Sequence, residues 1–380
     1  MRIVEGYAAG AVSTDEATFI SANSNGAFYK AVIRVPSGFV RIPEYTEDTK
    51  VADPIEVDST DRNTEMPDPT GIDEESVESN PSDPTDSEDE VEAERYCEQI
   101  SFIGYESDDT DLIDDSAGVA VYAAGDIGRC GTENDTLTGN LLDSLEGPIL
   151  VLGDAAQGDG SWSDFINCFD PPWGRHKERM YPTPGNHEYY VRDADAYFDY
   201  FGDAAGERGK GYYSFDIGDW HVVSLNTNCS EVMCSEGSEQ EMWLRQDLAA
   251  SDKACTLAFG HHPRYSSGKH GDTSAIKPLW QALIDHGAEI VLAGHDHAYQ
   301  RYWPMDAEGN LSATGLTEFV VGTGGSSLRS FPNPQPCTCA IRQNTSFGVL
   351  RLTLKAKSFE WEFIPVEAGS FSDSGRAYCH

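Results

Sequence analysis

From Gly118 onward the chain repeats one device: a short, continuous apolar run of strand length that ends in glycine followed by an aspartate or a histidine. Val119 to Ala124 runs into Gly125-Asp126, Ile149 to Leu152 into Gly153-Asp154, Cys255 to Phe259 into Gly260-His261-His262-Pro263, and Glu289 to Ala293 into Gly294-His295-Asp296-His297. Runs that are apolar on both faces read as strands buried within a sheet. Helical stretches at Asn134 to Leu145, Ser238 to Ala250 and Ala275 to His286 lie between them, and this alternation predicts βαβ units. Tyr212 to Leu225, turning at Gly218-Asp219, and Gly348 to Pro365 read as hairpins, so the sheets are mixed. The fold class predicted is mixed α/β: a four-layer αββα sandwich of two mixed sheets flanked by helices. No period of repeat length recurs, which excludes solenoids and propellers.

In α/β architecture the carboxyl ends of strands share one rim, so the polar residues after each run gather in space although they are far apart in sequence. Between the second and third runs lies Pro184-Gly185-Asn186-His187-Glu188, which joins the same set. The donor types are carboxylate, amide oxygen and imidazole without thiolate, a set suited to first-row metals. A glycine before each candidate ligand permits a sharp turn and close backbone approach. On extended chain His295 and His297 face one way and Asp296 the other, so two imidazoles can serve two ions.

With these residues in order, the chain resembles the calcineurin-like metallophosphoesterase superfamily, and within it the purple-acid-phosphatase-like branch. The blocks that carry the resemblance are GDIG at 125 to 128, GDAAQ at 153 to 157, GNHE at 185 to 188, GHHP at 260 to 263 and GHDHAYQR at 294 to 301. The likeness runs from about Ala117 to the C-terminus and leaves out the acidic front. It implies that Asp126, Asp154 and His297 hold one metal, and that Asn186, His261 and His295 hold the other, with Asp154 bridging. It implies that His187 contacts the phosphate and protonates the leaving oxygen, and that His262 is the variable position of its block. His270 sits where relatives place a substrate-contacting imidazole, and Arg264 is a candidate to reach a phosphate. The tyrosine of the purple enzymes is Gln157 here, and the histidine of other branches is Gly128. Gln157 enters the ligand set as a weaker neutral donor, which favours two divalent ions from Fe, Zn or Mn over a ferric tyrosinate.

The activity implied is metal-dependent hydrolysis of a small phosphate ester, a phosphomonoester in acid-phosphatase fashion. Two ions about 3.5 to 4 Å apart clamp the phosphate and make the water between them nucleophilic for in-line attack. Two alternatives stay open: a phosphodiesterase or nuclease of the same superfamily, and a metal-binding protein whose centre Gln157 has weakened. A third assigns attachment to the acidic front.

Charge narrows the partners. The 380 residues carry a formal net charge of −39, which excludes nucleic-acid binding through a basic patch. Roughly 24 of those charges fall between Glu44 and Asp115, where too few apolar residues are present to offset the entropy of ordering. Residues 44–115 are therefore expected to form a disordered linker between a small β-hairpin segment, 1–43, and a metallophosphoesterase domain, 116–380. In the first segment Ala31 to Val35 and Phe39 to Ile42 read as paired strands about Pro36-Ser37-Gly38. No run approaches the roughly 18 apolar residues that a membrane helix needs. Nine cysteines, with Cys229 and Cys234 flanking a short polar loop, favour an exported protein, extracellular or periplasmic. The alternative to disulfides is a set of buried free thiols such as Cys255, which sits in an apolar run. Cys337 and Cys339 lack a second cysteine pair at zinc spacing and are not taken as a metal clip.

Overall fold

The apolar runs assemble into two mixed sheets in a computed structural model that describes residues 16–22, 28–34 and 117–380. One sheet takes the order β15-β14-β13-β3-β4-β5. Its parallel half is β3 (Val119–Ala124), β4 (Ile149–Leu152) and β5 (Met180–Thr183). Its antiparallel half is β13 (Gly348–Leu354), β14 (Ser358–Pro365) and β15 (Ser374–Tyr378). The other sheet runs β12-β10-β11-β9-β8-β7-β6. Its parallel centre is β7 (Trp220–Ser224), β8 (Cys255–Phe259), β9 (Ile290–Ala293) and β11 (Thr317–Val321). Antiparallel β6 (Tyr213–Ile217) closes one edge, and β10 (Tyr299–Tyr302) with β12 (Cys339–Gln343) closes the other.

Strand alternation shows how the layers stack. Val222, Leu257 and Leu292 share one buried cluster with Val121, Leu150 and Leu352 of the first sheet, so the two sheets bury a common interior. Their neighbours Val223, Ala258 and Val291 point the other way and pack with Leu244, Leu279, Trp280 and Leu283. Those four residues belong to the helices Glu239–Ala250 and Lys277–Asp285. A period of two thus sends successive residues into two different cores, which is why these runs carry apolar residues at every position.

The predicted elements are present with small shifts. The helix expected over 134–145 ends at Leu142, because Arg179 reaches over its end and donates to the carbonyls of Leu142, Leu145 and Gly147. The helix expected over 238–250 begins after Ser238, whose hydroxyl accepts from the backbone N–H of Glu241 as an N-cap. At the front, β2 (Phe28–Arg34) covers most of the strand expected at 31–35, and it forms a two-stranded sheet with β1 (Glu16–Ala22). The strand expected at 39–42 and the acidic stretch 44–115 lie outside the described residues.

The cysteines follow the disulfide reading rather than its alternative. Cys229–Cys234 is bonded, and Cys255, the example of a buried free thiol, is joined to Cys379 across 124 positions. Its apolar surroundings come from its place on β8, with its partner just beyond β15. Cys130–Cys168 is a further disulfide, Cys337 is also disulfide-bonded, and Cys339 is free and buried. Among the described residues no helix is long and apolar enough to cross a membrane.

Candidate metal centre

β3, β4, β8 and β9 each deliver ligand candidates beyond the carboxyl end, and after three of them the backbone bends into an unusual conformation. Asp126, Asp154 and His295 have φ of 58°, 48° and 69°, in the left-handed region that side-chain-bearing residues rarely occupy. Such geometry costs on the order of 1–2 kcal/mol per residue and is held only where the surrounding fold determines it. The turns also pack tightly: a Cβ on Gly185 would stand 2.1 Å from Asp154 Oδ1, so residue 185 must be glycine for the third block to reach the second.

Four donor atoms converge around His261. Its Nε2 lies 3.1 Å from Asn186 Oδ1, 3.3 Å from Asp154 Oδ2 and 3.2 Å from His295 Nδ1. Donors held at about 2.0–2.2 Å by a single ion stand about 3.0–3.6 Å from each other, so this set has the spacing of one coordination shell. His261 Nδ1 donates to the Leu152 carbonyl at 2.8 Å, which turns the other nitrogen toward the centre.

A second group shares Asp154 Oδ2. His297 Nε2 lies 3.3 Å from Asp126 Oδ1, and the His297 ring is oriented by Nδ1 donating to the Ser327 carbonyl at 2.6 Å. The Gln157 amide nitrogen stands 3.2 Å from Asp126 Oδ1, 2.9 Å from Asp154 Oδ2 and 3.5 Å from His297 Nε2. The amide NH₂ thus donates to the two carboxylates and in this orientation offers no lone pair to a metal, while the carbonyl oxygen, the atom expected to act as ligand, accepts from the Ser326 hydroxyl at 3.3 Å. Position 128 adds nothing, since a Cβ there would meet the Ala155 carbonyl and Phe169 Cα at 2.8 Å.

Charge fits the donor roles. Burial pushes the Asp154 carboxyl up, yet the positive neighbours His261 and His187 outweigh it and leave it below the ordinary carboxylate range. Burial works against the His261 imidazolium, and the Asp154 charge more than compensates, raising His261 to about 9. Burial and the like charges of His261, His262 and His270 keep His295 neutral, and burial with His261 takes His262 down to about 3. A cation entering here displaces the His261 proton.

The structure brings Asp126, Asp154, Gln157, Asn186, His261, His295 and His297 together. His187 stands beside them: its backbone N–H donates to Asp154 Oδ1 at 2.9 Å, Nδ1 donates to the Gly158 carbonyl, and Nε2 faces Asp154 Oδ2 at 3.7 Å. His270 is on the exposed rim, its ring 4.2 Å from that of His295. Asp296 points away from the centre, as alternation predicts, and accepts from the His270 backbone N–H at 2.9 Å, so it anchors that loop. Arg264 is held elsewhere. It is buried, with its guanidinium 4.4 Å over the Tyr265 ring and donating to the Ala307 carbonyl, and it makes no contact with the cluster among the described residues.

Three features were missed in the sequence. His262 packs its ring 4.4 Å from His295 and bonds Thr227 Oγ1 through Nδ1 at 3.0 Å, so the variable position of its block lines the centre. Glu188 is fully buried and accepts from the backbone N–H of Gly185, Asp154 and Ala156 at 2.7, 2.9 and 3.2 Å. It ties the turn of the second block to that of the third. The segment 322–329 forms a sixth wall: Ser326 N–H donates to the Asp126 carbonyl, Ser327 orients His297, and Arg329 N–H donates to the His297 carbonyl. Its only advance signal is Gly322-Thr323-Gly324-Gly325 after an apolar strand, the pattern of the other blocks without a ligand.

Residues 119–299 match the family model for calcineurin-like phosphoesterase. The chain is 28% identical over 242 residues to purple acid phosphatase 15 of Arabidopsis thaliana, covering 54% of this chain and 44% of that protein. It is 27% identical over 277 residues to Fe(3+)-Zn(2+) purple acid phosphatase 12 of the same plant, covering 62% and 58%. The chain spans about half the length of the curated relatives it matches. A purple acid phosphatase from yellow lupin seeds shares the fold with a TM-score of 0.61 at 19% identity, over 69% of this chain and 54% of that one. Residues 119–299 thus match the calcineurin-like phosphoesterase family, and the chain is similar in sequence and fold to the purple acid phosphatases.

Proposed function

We propose that the chain hydrolyses phosphomonoesters at a centre of two divalent ions. The observation that carries the reading is the buried Asp154 carboxylate standing between two candidate sets, its Oδ2 3.3 Å from His261 Nε2, with a ligand atom grouped within 4.8 Å of one from Asp126 and one from His261. Bound at these donors, the ions supply Lewis acidity toward the phosphate oxygens and an activated water. Asn186, His261 and His295 hold one ion with Asp154; Asp126 and His297 hold the other with the same carboxylate. Gln157 completes the second set by turning its amide so that the carbonyl oxygen faces the donors. The Ser326 hydroxyl, able to donate or accept, then bonds the amide nitrogen. A neutral ligand there favours Zn, Mn or ferrous ion over a ferric tyrosinate. His187, with Nδ1 fixed on the Gly158 carbonyl, presents Nε2 to protonate the leaving oxygen. Export to an oxidising compartment is supported by the disulfides.

The test combines elemental analysis with turnover. Asp154→Ala is expected to lose metal and hydrolysis of p-nitrophenyl phosphate together. His187→Ala is expected to keep its metal and lose about 10²- to 10⁴-fold in kcat, the usual share of a proton donor. Parent-rate turnover by Asp154→Ala would refute the reading. A diester rate above the monoester rate moves the assignment to phosphodiesterases. Bound metal without turnover on either ester marks a binding protein, a reading favoured by the Gln157 amide nitrogen facing the second donor set.

A further inference from the structure

We infer that Arg329 is the phosphate clamp of this centre, a substrate-binding residue that takes non-bridging oxygens of the ester as they approach from the open rim. The inference rests on the phosphoesterase reading and deepens it. Three observations converge on Arg329, which lies in none of the five sequence blocks.

The first is place. The Arg329 backbone N–H donates to the carbonyl of His297 at 3.0 Å, and its own carbonyl accepts from Asn344 Nδ2 at 2.9 Å. The residue is therefore pinned to a metal-ligand candidate on one side and to the loop after β12 on the other. The second is direction. Its guanidinium meets Nε2 of His270, and the His270 ring stands 4.2 Å from that of His295. The charge thus lies over the mouth of the centre, at the exposed rim rather than in the protein interior. The third is the partner it lacks. In a chain with 65 acidic and 26 basic residues, several other arginines face carboxylates: Arg175 meets Asp143, Arg245 meets Asp285, Arg301 meets Asp373 and Arg376 meets Glu360, while Arg179 and Arg264 are held by backbone carbonyls. Among the described residues Arg329 meets no carboxylate and bonds a neutral acceptor instead.

An arginine left without an anion, amid so many carboxylates, retains its capacity for one. The guanidinium offers several N–H donors in a planar fork that suits phosphate oxygens, and its attraction needs no proton transfer. The chain's own charge makes this more consequential. An anionic ester is repelled by so acidic a surface, and a fixed cation at the mouth offsets that repulsion where it matters for entry.

The experiment uses the metal-loaded protein and inorganic phosphate as the probe. Metal content is measured on every sample, phosphate affinity by competition against p-nitrophenyl phosphate and by calorimetry. Arg329→Ala is expected to keep its metal and weaken phosphate binding by at least about tenfold, the worth of one hydrogen bond to a charged group. KM should rise by a similar factor while kcat changes less. Arg329→Lys should restore part of the affinity, since a point charge replaces charge but not the fork. Arg376→Ala, a like charge removed at β15, should leave phosphate affinity unchanged. The inference is overturned if Arg329→Ala binds phosphate as the parent does, or if Arg376→Ala weakens it equally. A metal-loaded parent that neither binds phosphate nor hydrolyses any ester overturns the phosphoesterase reading itself, which separates the two failures.

Discussion

Removing the Glu188 carboxylate should loosen the centre without touching a metal donor. The side chain is fully buried and accepts three backbone N–H groups, from Gly185, Asp154 and Ala156. Burial and the Asp154 charge raise the Glu188 carboxyl to about 7, so each bond is taken as a neutral one at about 0.5–1.5 kcal/mol, and each orphaned buried N–H costs about 1–3 kcal/mol. Water entering the vacated space recovers part of that, so Glu188→Ala should lose on the order of 3–6 kcal/mol. For a domain of this size each kcal/mol lowers the melting temperature by roughly 2–4 °C, giving a drop on the order of 10 °C or more. Glu188→Gln keeps the volume and one acceptor, but it turns an NH₂ group toward a backbone donor, so its expected loss is about a third to a half as large. Because the orphaned groups belong to the turns bearing Asp154 and Asn186, metal affinity should fall in the same order: parent, Gln, Ala. Thermal unfolding followed by circular dichroism reads the first quantity, and competition with a chromogenic chelator reads the second. A Glu188→Ala protein that melts within about 2 °C of the parent and holds metal equally well would refute this account.

Two further outcomes follow from structure outside the centre. His221 bridges Asp216 and Asp247 at 3.0 and 2.8 Å, and its bond to Asp247 raises its pKa despite burial. A raised imidazole stabilises the fold below the unfolded value of about 6.5 and loses that contribution as pH rises through the folded one. His221→Asn should therefore be less stable than the parent at pH 5.5 and approach it in alkaline buffer, and a pH-independent gap in melting temperature would contradict the assignment. The Cys255–Cys379 bond closes 124 positions, a loop for which chain entropy predicts about 4–5 kcal/mol; Cys379→Ser should lower the urea midpoint accordingly, and an unmoved midpoint would show that the unfolded chain is already compact.

Much of the fold and centre could be read from the chain because each piece had a local cause. Continuous apolar runs such as Ile149–Leu152 can only be strands buried on both faces, and their polar ends reveal the rim. The rest depends on distant partners. Cys255 reads as an inert thiol until β15 brings Cys379 beside it. Arg264 follows a ligand candidate in sequence, yet its side chain turns to Tyr265 and Ala307. Glu188 reads as one more polar letter in its block, because backbone N–H groups 32 and 34 positions away leave no trace in composition. The 322–329 wall contributes carbonyls, a hydroxyl and one arginine, none of which resembles a ligand until the strand before it is placed in the sheet.

On the proposed two-ion reading, the Asp154 carboxylate would make the two ions thermodynamically inseparable. An ion entering beside His261 would withdraw electron density from the carboxylate that would also serve one beside Asp126, and by reciprocity each occupant would alter the other's affinity by one common factor. Loading curves should accordingly depart from those of two independent sites. A change at Asp126 would first impair one ion, whereas a change at Asp154 would impair both at once.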